Sequence, residues 1–151
     1  MANTLPLAML IELAQNKTDD ATRRLGQLQR AQIGAAEKLA LLIQYRQEYV
    51  DRLQAKMQEG VPSSHWRNFQ NFIGTLDGAI EQQRAVVAQA EARLNHGRSD
   101  WQHSKRRLNS FDTLADRVRQ QAALALGKRE QRDSDEHAAR QFQLRAQALT
   151  R

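Results

Sequence analysis

His96 and His103 stand seven residues apart, which places both imidazoles on one face of a helix, the spacing at which paired histidines could begin a metal site. A site needs further donors, and no carboxylate joins them with metal-ligand spacing. The other two histidines, His65 and His137, are remote in sequence, so a solvated surface is the favoured reading of all four. Cysteine is absent, which removes thiolate zinc sites, cysteine nucleophiles and disulfides. No Gly-rich phosphate loop is present, so this chain would not itself hydrolyse ATP. No catalytic residue, metal or cofactor is assigned; the chain does not read as an enzyme.

The other residues that could do chemistry are aromatic and basic. The stretch HWRNFQNFIGTL, residues 65 to 76, gathers Trp66, Phe69 and Phe72 in a chain with two Trp, two Tyr and four Phe. Such rings could be core, a stacking platform for nucleic acid, or a docking site for another protein. Net charge is +6 and the pI is about 10.3. Residues 1 to 92 hold ten basic and ten acidic side chains, and residues 93 to 151 hold thirteen and seven, so the excess lies wholly in the second part. Stacking and electrostatic capture of nucleic acid should be adjacent, and here the rings lie in the neutral part. That disfavours nucleic acid and leaves the basic residues as a solvated helix face or a contact for an acidic protein.

The elements that must position these residues follow from composition. Seven Gly and two Pro leave little with which to build turns, while Ala, Leu, Gln, Arg and Glu are good helix formers. Read in sevens, Ala14, Ala21, Leu28, Ala35, Leu42 and Tyr49 recur, beside Ile11, Thr18, Leu25, Gln32, Leu39, Arg46 and Leu53. Later, Trp66, Ile73, Ile80, Val87, Leu94, Trp101, Leu108, Ala115 and Ala122 run beside Phe69, Leu76, Gln83, Ala90, Gly97, Ser104, Phe111 and Val118. A 3-4 spacing sustained this long is a coiled-coil signal. EGVPSS, residues 59 to 64, separates the halves: Gly60 suits a left-handed helix end, Pro62 bars continuation, and Ser63 or Ser64 could cap the next helix. So short a connection makes the helices antiparallel.

The spacing therefore predicts an all-α fold, a long two-helix antiparallel coiled coil of roughly 80 to 90 Å. It forms a single hairpin domain: helix one about 5–59, turn 60–63, helix two about 64–126, and a polar C-terminal extension 127–151. Residues equidistant from residue 61 should face each other, which sets Ala14 against Leu108, Ala21 against Trp101, Leu28 against Leu94 and Ala35 against Val87. The apolar run Leu5 to Leu13 carries Glu12, lacks a basic leader and is too short for a membrane span, so the expected location is cytoplasmic.

Near the turn the apolar arc is wider than one seam needs. Stepping 100° per residue, Lys38, Leu42, Tyr45 and Tyr49 fall roughly 60° to 120° to one side of the first seam, and Phe72, Leu76, Ala79 and Gln83 fall to the same-handed side of the second. In an antiparallel pair these flanks merge. Leu42, Tyr49 and Leu76 also fit the seam rows, whereas Tyr45 and Phe72 fit neither. An apolar and aromatic patch of that kind marks a protein-binding surface.

LLIQYRQEY (41–49) and WRNFQNFIGTLDGAIEQQ (66–83) resemble the FliJ family of the flagellar type III export apparatus. KTDDATRRLGQLQRAQ (17–32) extends the resemblance, as do DTLADRV (112–118) and the polar tail more weakly. It covers essentially the whole chain. It implies a hairpin similar to the γ subunit of rotary ATPases, acting as a central stalk that promotes assembly and activity of the hexameric export ATPase. It also implies coupling to the cytoplasmic linker region of the export-gate membrane protein and escort of empty export chaperones. The location would be cytoplasmic, peripheral to the inner membrane through the gate alone.

The family's gate-binding surface corresponds to Lys38, Leu42, Tyr45, Tyr49, Phe72, Leu76, Ala79 and Gln83. Lys38 and Gln83 replace the family's commoner glutamine and histidine. The rotary analogy points Arg98, Lys105, Arg106, Arg107, Arg117 and Arg119 at the ATPase ring lining. The alternatives are an oligomerising structural coiled coil and a basic nucleic-acid-binding helical protein. On the gate-binding reading Phe72→Ala leaves melting nearly unchanged, while Trp66→Ala costs on the order of 3 kcal/mol.

Overall fold

The computed structural model describes the backbone of residues 4–150 and the side chains of residues 6–150; Arg151, in the expected extension, lies outside them. The described residues form two helices, α1 (Thr4–Glu59) and α2 (Ser63–Leu149), with no strand among them. The all-α expectation holds. α2 passes through residue 126 without a break and runs on to Leu149.

The connection is residues 60–62. Gly60 has φ +88°, the left-handed conformation that glycine adopts without a Cβ clash, and its N–H donates to the Met57 carbonyl at 3.3 Å. The start of α2 differs from expectation. The Pro62 carbonyl accepts from the N–H groups of His65 (3.1 Å) and Trp66 (3.3 Å), so Pro62 occupies the cap position and Ser63 and Ser64 fall inside the first turn. Proline loses nothing there, because a cap residue's own N–H is outside the helical ladder.

The chain divides into two compact units. In the unit Gln15–Lys105 the two helices pack antiparallel on either side of the turn. Its buried residues are Thr18, Ala35, Leu53, Leu76, Ile80, Gln83, Leu94 and Gly97, all of them heptad positions. The remaining members of both rows in this unit, Trp66, Phe69 and Trp101 among them, are half-buried. Cross-helix contacts fix the register. Tyr49 meets Phe72 with ring centroids 4.5 Å apart, Gln83 Nε2 donates to the Ala35 carbonyl at 3.0 Å, Trp101 Nε1 donates to Thr22 Oγ1 at 2.9 Å, and Thr18 Oγ1 donates to the Ser104 carbonyl at 3.3 Å. Facing residues thus mirror each other about the turn, near residue 61.

In the other unit, which takes in residues 4–14 and 106–150 of the described chain, Ala14 and Leu108 are buried. Leu7, Ile11, Phe111, Ala115 and Val118 are half-buried. Ala122, the last member of its heptad row, is exposed, as is every residue from Arg119 to Thr150. That stretch buries no face, so it is held by helix propensity and local side-chain pairs such as Arg119–Asp116 and Gln141–His137.

Candidate functional site: an aromatic flank beside the turn

The site is built on the two helices next to the turn. On α1, Lys38 and Tyr45 are exposed and Leu42 and Tyr49 half-buried; on α2, Phe72 is exposed and Ala79 half-buried. Tyr45 is 58% exposed and Phe72 40%, each leaving an aromatic ring face open to water. Leu76 and Gln83, by contrast, are buried at 8% and 7%. The structure brings the eight residues to one stretch of the hairpin, but divides them. Tyr45, Phe72, Leu42, Tyr49, Ala79 and Lys38 make the open surface, and Leu76 and Gln83 lie beneath it in the seam.

The three rings of the 65–76 stretch also divide. Phe69 is half-buried, 5.3 Å from Tyr49 by ring centroid, with Lys56 Nζ 5.4 Å above its face. Trp66 and Ile73 are half-buried as well, leaving Phe72 as the exposed ring. The open rings Phe72 and Tyr45 lie in the charge-neutral part of the chain, without the adjoining basic excess that a nucleic-acid stacking platform needs. An apolar surface with a lysine at one edge instead suits a partner's apolar side chains, with the ammonium near a carboxylate or carbonyl.

On the opposite flank, Arg46 Nε donates to Asp77 Oδ1 at 2.5 Å. Arg46 is a charged member of its heptad row, and the heptad spacing alone gives it no partner. The signal was available, because Asp77 lies opposite Arg46 once residues are mirrored about the turn. The pair is partly solvated, so it adds at most about 1 kcal/mol.

The six basic residues assigned to a ring lining are all exposed. Arg98, in the unit Gln15–Lys105 with Lys105, donates to Asn95 Oδ1 at 3.3 Å. In the other unit Arg119 pairs with Asp116 at 2.9 Å, and Arg107 lies over the Phe111 ring, 5.9 Å from its centroid. Arg106 and Arg117 are exposed there too.

Asp100, overlooked between His96 and His103, has its Oδ2 3.7 Å from His96 Nε2. Even so, among the described residues no three His, Asp or Glu side chains converge as a metal site. No described helix is long and apolar enough to cross a membrane.

The sequence profile described as "Flagellar FliJ protein" matches residues 3–147. A curated "Flagellar FliJ protein" of Salmonella typhi is 39% identical over 140 residues, covering 93% of this chain and 95% of that protein. The "Flagellar FliJ protein" of Escherichia coli (strain K12) is 37% identical over the same length, with the same coverage. The matched residues span nearly the whole of both chains and include the turn and the flank of this one, and the chain belongs to the flagellar FliJ protein family.

Proposed function

We propose that this chain is a flagellar type III export component whose aromatic flank docks the cytoplasmic linker region of the export-gate membrane protein. The observation that supports this most directly is the exposure of Tyr45 and Phe72 on one flank, beside Leu42, Tyr49 and Ala79. Large apolar rings left half open to water carry a hydrophobic penalty of about 25 cal/mol per Å² that a partner's apolar surface would relieve. The chain ends, with Arg98, Lys105, Arg106, Arg107, Arg117 and Arg119, act as the stalk within the hexameric export ATPase and promote its assembly. The same protein escorts empty export chaperones, in the cytoplasm and peripherally at the inner membrane.

The flank is tested by titrating the purified gate cytoplasmic domain with the parent chain and with Tyr45→Ala. Among the described residues Tyr45 shares no ring contact with a neighbour, so its truncation should leave melting unchanged and weaken binding by about tenfold or more, as expected of a ring in a desolvated interface. Equal affinity of the two chains refutes the assignment. The stalk role is tested by adding the chain to the export ATPase and following hexamer formation and hydrolysis rate. An unchanged rate refutes it.

A further inference from the structure

Gln83 is 7% exposed, and its amide Nε2 donates to the Ala35 carbonyl across the seam at 3.0 Å. Among the described residues it is the one cross-helix hydrogen bond formed by a buried side chain in the half of the hairpin nearest the turn. The Arg46–Asp77 pair is partly solvated, while the Thr18 and Trp101 bonds lie toward residues 101–104, about 30 Å farther along the axis. The seam around Gln83 carries four small side chains, Ala35, Ala36, Ala79 and Ala90, beside the larger Ile80 and Val87. Alanines interlock weakly, so one helix slipping past the other by about one turn, 5.4 Å, would still bury methyl groups. A directional amide bond would not survive that slip, and a buried amide left without a partner is costly.

We infer that Gln83 is a positioning residue: its amide locks the axial stagger of α1 against α2 and so sets the shape of the aromatic flank, without touching the docked partner. Gln83–Ala35 closes one end of the flank, and the Tyr49–Phe72 ring pair closes the other. Between them, the distance from Tyr45 to Phe72 depends on the stagger. A polar side chain at a single seam position that selects one register is a known device of coiled coils. This inference rests on the flank being the docking surface.

The lock and the docking can be read separately. The chain has no cysteine, so Glu37→Cys with Gln102→Cys places two spin labels at exposed positions on the two helices, about 25 Å apart along the axis, without further substitution. In that background the parent should give one narrow distance. Gln83→Leu, which keeps the volume and removes the donor, should broaden it or add a second distance displaced by about 4 Å, most of the one-turn slip being projected on the line between the labels. Helix content and melting should hold or rise, since no buried donor is left unpaired. Affinity for the purified gate cytoplasmic domain should fall about tenfold if about one chain in ten keeps the docking register.

A narrow, unshifted distance in Gln83→Leu overturns the lock. A broadened distance with parental affinity overturns its role in docking, and lost affinity with an unshifted distance assigns Gln83 to direct contact instead. Should Gln83→Leu fail to fold, Gln83→Met removes the same donor with a side chain that adapts its shape. If Tyr45→Ala binds as the parent does, the docking reading fails and takes the positioning role with it, while the distances still decide the lock.

Discussion

Gly97 offers the sharpest test of how closely the helices approach. It is buried in the seam, and a Cβ built on it would lie 2.5 Å from Leu28 Cδ1, well inside contact distance. Gly34 and Gly78 are also mid-helix, but a Cβ at either meets nothing within 4 Å. Replacing glycine by alanine in a helix interior gains about 0.5–1 kcal/mol through the unfolded chain's lost freedom and better propensity. Gly34→Ala and Gly78→Ala should each show that gain. At Gly97 the same gain is opposed by overpacking. The Leu28 methyl must retreat by about 1 Å to reach an ordinary carbon contact, and such strain costs about 1–3 kcal/mol. The net expectation for Gly97→Ala is a loss of about 1 kcal/mol, a fall in Tm of about 2–4 °C for a chain this size. Urea unfolding followed by circular dichroism measures all three variants. Adding Leu28→Ala to Gly97→Ala should return at least about 1 kcal/mol of coupling in a double-mutant cycle, because the clash is with that side chain. If Gly97→Ala stabilises as much as Gly34→Ala, the close approach at this point of the seam is wrong.

Ile80 and Leu94, each 5% exposed, should cost about 2–4 kcal/mol when cut to alanine, whereas Leu124→Ala, at 66% exposure, should stay within about 0.5 kcal/mol; urea midpoints separate them. Breaking Arg46–Asp77 should show a coupling below about 1 kcal/mol that shrinks toward zero in about 1 M salt, measured by a double-mutant cycle at two ionic strengths. Amides of residues 123–149, where no side chain is buried, should exchange with solvent far faster than those of residues 73–104 in the packed hairpin, as read by hydrogen exchange.

The seam was legible because coiled-coil periodicity acts on every turn. Apart from Ala79, every shielded residue of α2 falls on one of its two heptad rows. The turn was legible through Gly60 and Pro62, since left-handed backbone and a missing N–H are properties of residue types. What periodicity could not settle was the flank. An arc 60° to 120° off the seam overlaps the heptad rows, so Leu76 and Gln83 fitted both, and only packing shows them buried. The serine cap failed for a different reason. Capping preference names candidates near a helix start, but the phase of the first hydrogen bond is decided by the backbone, and it fell on Pro62. The polar tail, by contrast, reads from its residue types as a helical extension without a partner helix, and α2 runs on to Leu149.

Tyr49 shows why the seam and the docking flank are not independent. Its ring lies 5.3 Å from Phe69, a seam residue, and 4.5 Å from Phe72, the exposed ring of the flank. An aromatic pair contributes about 0.5–1.5 kcal/mol beyond its buried area, so Phe72→Ala should cost some stability and not leave melting untouched. The simple division in which Trp66 serves the fold and Phe72 only the partner therefore does not hold at this position. The coupling has a functional sense. A ring already held by Tyr49 loses little rotational freedom when a partner arrives, and ordering a side chain at an interface otherwise costs about 0.5–1.5 kcal/mol. Among the described residues no ring packs on Tyr45, so on the proposed docking reading it would be ordered only by the partner. On the docking role proposed above, Phe72 would supply the preorganised part of the surface and Tyr45 the adaptable part, so rigidifying Tyr45 should improve affinity where further restraint of Phe72 would not.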